Sequence, residues 1–131
     1  MRVSRLLTVT TVFEGTTGLF LLWLPAIVLT LLFGWREVGP ETALMGRVAG
    51  AAVLGLSAAS WLARDDGGSR ARLGVITGLL LYNVVGAALL VFAGAVLRMV
   101  GLLLWPAVLY HVALTAWSAV CLCRRPDSAL G

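Results

Sequence analysis

The chain has 131 residues, 60% of them apolar and 12% charged, with a formal net charge of +4 and a mean hydropathy of +0.99. Soluble domains run ~45–50% apolar and ~25% charged, and one of this size has too little interior to hide so much apolar surface. A soluble enzyme, a disordered tail and a nucleic-acid-binding domain are excluded. The ten cationic side chains are all Arg, set against six acids. In a membrane protein such a basic balance reflects charge in the cytoplasmic loops.

Four apolar stretches follow one another, each long enough to cross a ~30 Å hydrocarbon core as a helix. The first runs from Leu6 to about Leu24. Arg2 and Arg5 precede it, as in a signal peptide, but Glu14 interrupts the run and no small-residue cleavage site follows. The segment is therefore expected to be retained. Pro25–Phe33 is apolar but too short to span, and Pro25 removes a backbone donor. This piece reads as a re-entrant or interfacial element; the alternative is one long tilted helix through Phe33. The second stretch, Ala43–Ala63, carries Gly46-x-x-x-Gly50 and Gly55-x-x-x-Ala59. The third, Leu73 to about Ala93, opens on Gly74-x-x-x-Gly78. Such spacings let helix backbones approach closely, within the bundle or across a dimer. The fourth runs from Val100 to Cys123 and ends in Cys121-x-Cys123, which is neither a disulfide framework nor a C-x-x-C redox pair. With no water to satisfy the backbone, these stretches are expected to be helices. The fold expected is all-α: a single-domain integral membrane four-helix bundle over residues 1–131.

Orientation follows from Arg in the short loops. Arg2, Arg5, Arg64, Arg70, Arg72, Arg124 and Arg125 fall on one side, and Arg36 and Arg98 on the other. That bias places both termini in the cytoplasm. Trp23, Trp35 and Trp105 group toward the outer face and Trp61 and Trp117 toward the inner one, as interfacial belts do.

Ionisable groups inside a membrane are costly, so each is a functional candidate. Glu14 lies ~12 Å from the inner boundary, Asn83 ~15 Å from the same side, and His111 ~16 Å in from the outer side, at 1.5 Å per residue. All three therefore share one layer near the midplane. Thr10, Thr11, Glu14, Thr17 and Gly18 share a face of the first helix, and Val108, His111, Thr115 and Ser118 form a stripe on the fourth. Tyr82 and Tyr110 add hydroxyls next to Asn83 and His111, each about 100° round its helix from that neighbour, so at most some of them are expected to join the layer. Arg47, ~6 Å below the outer boundary, can snorkel outward or reach toward Glu14.

The plain reading of these groups is hydrogen-bonded glue between helices. The functional reading is a cleft of Glu14, Arg47, Asn83 and His111, with Tyr82, Tyr110 and Thr17 around it. It would open toward the outer half and hold the polar head of a quinone, a lipid or another hydrophobic ligand. No cofactor or metal site is expected. Catalysis is not expected either: Glu14 and His111 are the available acid–base pair, and the two cysteines lie too far along the helix to join them. A third reading is an accessory subunit that presents Gly74, Gly78 and Gly86 to a membrane-protein partner or a second copy.

The chain resembles the DoxX-like group of small four-pass bacterial membrane proteins. The resemblance rests on Phe13-Glu14-Gly15-Thr16-Thr17-Gly18-Leu19-Phe20 with Leu24-Pro25 and Leu32-Phe33-Gly34, on Gly46-Arg47-Val48-Ala49-Gly50-Ala51-Ala52, on Tyr82-Asn83, and on Leu104-Trp105-Pro106-Ala107 with His111. It implies a bacterial inner-membrane protein and the four-helix fold. Some members are associated with quinone or thiosulfate redox systems, others with accessory roles. Small multidrug-resistance exporters also share the length, the four helices and a carboxylate in the first helix, where Glu14 would be the proton and drug site. They lack an equivalent of the Pro25 element, and Arg47 would compete for the carboxylate.

Overall fold

The computed structural model describes residues 2–123. Arg124 and Arg125, which entered the orientation argument, lie outside the described residues. The elements are α1 (Arg2–Trp23), α2 (Pro25–Phe33), α3 (Pro40–Ala63), α4 (Arg70–Ala95) and α5 (Leu104–Cys123), with no strand among the described residues. The four long helices are each long and apolar enough to cross a membrane. Their outward surfaces carry large apolar side chains, among them Leu62, Leu81, Leu89 and Leu109, while Glu14 and Asn83 are buried. Apolar outside and polar within is the arrangement a lipid solvent selects. This is a multi-pass membrane protein.

The bundle is two close antiparallel pairs, α1 with α3 and α4 with α5. The first pair is drawn together by missing side chains. A Cβ on Gly18 would lie 2.7 Å from Leu54 Cγ and 2.9 Å from the Gly50 carbonyl; one on Gly50 would lie 2.8 Å from the Gly18 carbonyl. Two turns away, Ser57 Oγ donates to the Thr11 carbonyl at 2.9 Å, and Thr11 Oγ1 shares its hydrogen between the Leu7 carbonyl at 2.8 Å and the Ser57 carbonyl at 3.3 Å. Gly46 receives Pro25 and Leu29 of α2. By contrast, Gly55, Gly74 and Gly78 face open space, so only part of the small-residue pattern packs within the bundle.

Pro25 makes a real break. Leu24 leaves helical geometry (φ −129°, ψ 49°) and its carbonyl accepts from Ile27 and Val28, restarting the chain as α2 with proline in the first turn. A continuous helix through Phe33 is therefore not formed. Gly34 ends α2 in the left-handed region at φ 76°. The element bridges α3 to the loop before α5: the Leu103 N–H donates to the Leu31 carbonyl at 2.9 Å. There Gly101 presses backbone to backbone on Leu32, leaving no room for any side chain. The fourth span begins at Leu104 and not at Val100.

At the other end, the loop before α4 is tied by its own polar groups. Ser69 caps α4 by accepting from the Arg72 N–H at 3.1 Å and donates to Asp66. Arg72 donates to the Asp66 carbonyl at 2.7 Å. Arg64 pairs with Asp65 and lies over the Trp61 ring.

Candidate functional site: a polar cluster between the helix pairs

Glu14 sits where the two helix pairs meet and is 2% exposed. Each of its oxygens has its own phenol: Tyr82 Oη donates to Oε2 and Tyr110 Oη to Oε1, both at 3.2 Å. Both tyrosines thus join the layer, beyond the expectation that only some would. A residue 100° off the facing direction still reaches the interface when its side chain is a long rigid ring. Tyr110 is steadied by Phe13, with ring centroids 5.2 Å apart.

Asn83 and His111 form the second half of the cluster. Asn83 is fully buried and its Nδ2 donates to the Leu79 carbonyl, one turn back, at 2.8 Å. That bond fixes the amide, so Oδ1 faces His111 Nδ1 at 2.8 Å. Oδ1 only accepts, so Nδ1 donates, and in the neutral ring Nε2 is left as an acceptor. Nε2 makes no hydrogen bond to the described residues. The imidazole lies between the two tyrosine rings, 5.4 Å from Tyr82 and 5.5 Å from Tyr110, edge-on to both at 71°. Gly86 makes room for it; a Cβ there would lie 3.3 Å from His111 Cε1 and Nδ1. Gly86 therefore packs against the cluster, unlike Gly74 and Gly78, where an added Cβ would meet nothing. Its position one turn after Asn83 was the sequence signal for this.

Two of the expected residues lie elsewhere. Arg47 is exposed, and its Nε donates to the Leu22 carbonyl at 3.2 Å. The antiparallel register sets it opposite Leu22, eight residues or ~12 Å along α1 from Glu14. The break at Pro25 removes the N–H groups that would satisfy the last carbonyls of α1, and Arg47 caps one of them. Thr17 is exposed, on the flank of α1 away from Thr11. Glu14 and His111 share a layer without bonding to each other; the tyrosines stand between them. Along the α4–α5 seam beyond the cluster, Leu90, Ala93, Leu104 and Val108 pack together.

The cluster holds a carboxylate whose partners are neutral hydroxyls, a tautomer-defined histidine and a buried amide. The two phenols supply one donor to each carboxyl oxygen inside the bundle, and hydrogen bonds to an ionised acceptor are stronger than neutral ones. Among the described residues no three of His, Cys, Asp and Glu come together as a metal site. Beside the cluster, a surface groove of about 440 Å³ runs along α4, lined by Gly78, Leu81, Tyr82, Val85, Gly86 and Leu89. Tyr82 and Gly86 belong to both features. Comparison with protein-family models, with curated proteins and with solved structures found no match to this chain.

Proposed function

We propose that this protein binds the polar head of a hydrophobic ligand at the Glu14–Tyr82–Tyr110–Asn83–His111 cluster. The tail would lie along the apolar groove of α4. The observation that carries the reading is the junction at Tyr82 and Gly86, where that groove adjoins the polar layer. Pockets between bundle helices typically join an apolar lining to a few convergent polar groups. The chemistry of the cluster narrows the head group. A carboxylate with no cation beside it disfavours a phosphate. With both phenol hydrogens donated to Glu14, the His111 Nε2 and the phenol oxygens are left as acceptors, which suits a neutral head that donates, such as a quinol.

The same reading places the chain in a bacterial plasma membrane with both termini cytoplasmic, in keeping with the DoxX-like resemblance and the Arg bias. Cysteine labelling at Gly39 and Gly68 checks it: Gly68 should react from the cytoplasmic side and Gly39 from the other, and the reverse would overturn the orientation. The binding reading is tested by native mass spectrometry of protein released from mild detergent, with solvent extraction of what it carries. The expected result is a retained quinone-like species. Protein that binds no such species, even when ubiquinone or menaquinone is supplied in nanodiscs, would contradict it.

An accessory role in a larger membrane complex is the second reading. Gly55, Gly74 and Gly78 favour it, since they present bare backbone outward. Co-purification of a stoichiometric membrane partner would support it. The exporter reading gains one point, because Arg47 does not compete for Glu14.

A further inference from the structure

Three hydroxyls in the half of the bundle below the cluster, toward the start of α1, are buried without a hydrogen-bond partner among the described residues: Thr10 Oγ1, Thr115 Oγ1 and Ser118 Oγ. Thr10 and Ser118 are fully buried residues. This is not the habit of hydroxyls in this fold. Thr8, Thr11 and Ser60 each donate to the carbonyl four residues back, at 2.8–2.9 Å.

The positions of the three are ordered. Thr10 lies one turn below Glu14 on the same face of α1. Thr115 and Ser118 continue the His111 stripe on α5, ~6 and ~10 Å below it along the axis. The antiparallel register of α1 and α5 is set by Glu14 against Tyr110 and by Leu6 against Leu114 and Cys121. It brings Thr10 level with Thr115, and Ser118 level with Leu6. Two apolar clusters flank this line, Leu6 with Leu114 and Cys121 on one side, Leu7 with Ala63, Ile76 and Leu79 on the other. On the far side of the cluster the α4–α5 seam is apolar.

We propose that Thr10, Thr115 and Ser118 hold a short column of water that joins the Glu14 cluster to the membrane face where α1 begins. Steps of 4–6 Å along an axis exceed a hydrogen bond, so neighbouring hydroxyls need water between them, and buried water typically has about three polar partners. The column lets the Glu14 carboxyl exchange its proton with one aqueous side only. A proton leaving the carboxyl passes to the adjoining water while another leaves the column at its open end. This does not depend on the ligand assignment above, and either can fail alone.

The test is water-edited solid-state NMR of the full chain in lipid bilayers. The Cβ signals of Thr10, Thr115 and Ser118 should receive magnetisation from water several-fold faster than those of Leu79 and Leu90, which are buried in apolar packing. Build-up as slow as for the leucines would overturn the column. The near-isosteric Thr115→Val supplies a second measurement. With water present, it slows transfer to the Glu14 side-chain signals and lowers the thermal midpoint. Unchanged transfer with a raised midpoint, as expected on removing a dry unpaired hydroxyl, would overturn the proposal. Loss of the bound ligand species in either experiment bears on the ligand alone.

Discussion

The seam between α1 and α3 and the cluster where α1 meets α4 and α5 are two polar regions on one helix, and they are built oppositely. At the seam the side chains are small. Thr11 and Ser57 each donate to the other's backbone, and Gly18 and Gly50 bring the helices into contact. All polar capacity there is used by the backbone it binds. At the cluster, three residues further along α1, the groups are long and bond side chain to side chain. Two phenols are spent on one carboxylate, and one histidine nitrogen remains. Polar glue in a membrane needs only short hydroxyls at a close crossing. A buried carboxylate held between rings is more than packing requires.

Substitutions can break this contrast. The largest effect is expected at the crossing. Gly50→Leu drives a side chain into the Gly18 carbonyl and Leu21, and should cost about 3 kcal/mol or more. Gly55→Leu, which meets nothing within 4 Å, should change stability by less than about 0.5 kcal/mol. Detergent-titrated unfolding measures both, and equal losses would refute the seam. Next comes the cluster. Tyr82→Phe and Tyr110→Phe each leave a buried carboxylate oxygen without its donor, at a cost of about 1–3 kcal/mol. The same changes should be close to neutral in a Glu14→Leu background. A full loss in that background would show that the hydroxyls act through something other than Glu14. Smaller still is the coupling of Thr11→Val with Ser57→Ala, expected near 0.6 kcal/mol by a double-mutant cycle. A coupling above about 2 kcal/mol would give the seam more than glue. The smallest effect is Gly74→Ala, within about 0.5 kcal/mol for the isolated chain. Its discriminating readout is whether a co-purified partner is lost.

Much of this arrangement is legible in the sequence, and the remainder fails for a definable reason. Counting residues at 1.5 Å each gives depth, so the shared layer of Glu14, Asn83 and His111 follows from sequence. Depth does not give the neighbour. Nothing in the order of the spans states that α1 pairs most closely with α3, so depth alone leaves open whether Arg47 reaches Glu14 or turns outward. The angle of Tyr82 and Tyr110 predicts that at most some of them join the layer, whereas ring length brings both to Glu14. Arg47 answers a local need, the carbonyl freed by Pro25, which is visible only once the break is seen to be a real helix end. The outward glycines and Gly86 share the same small-residue signal and separate only by which face each occupies.

On this view the Glu14 cluster holds a ligand while the Thr11–Ser57 seam holds helices. This division is tested most directly by comparing Glu14→Gln with Ser57→Ala in one native mass spectrometry experiment, on protein of matched fold and detergent. The account predicts that wild type and Ser57→Ala carry the bound quinone-like species and Glu14→Gln loses it. Equal retention by the folded Glu14→Gln protein would contradict it.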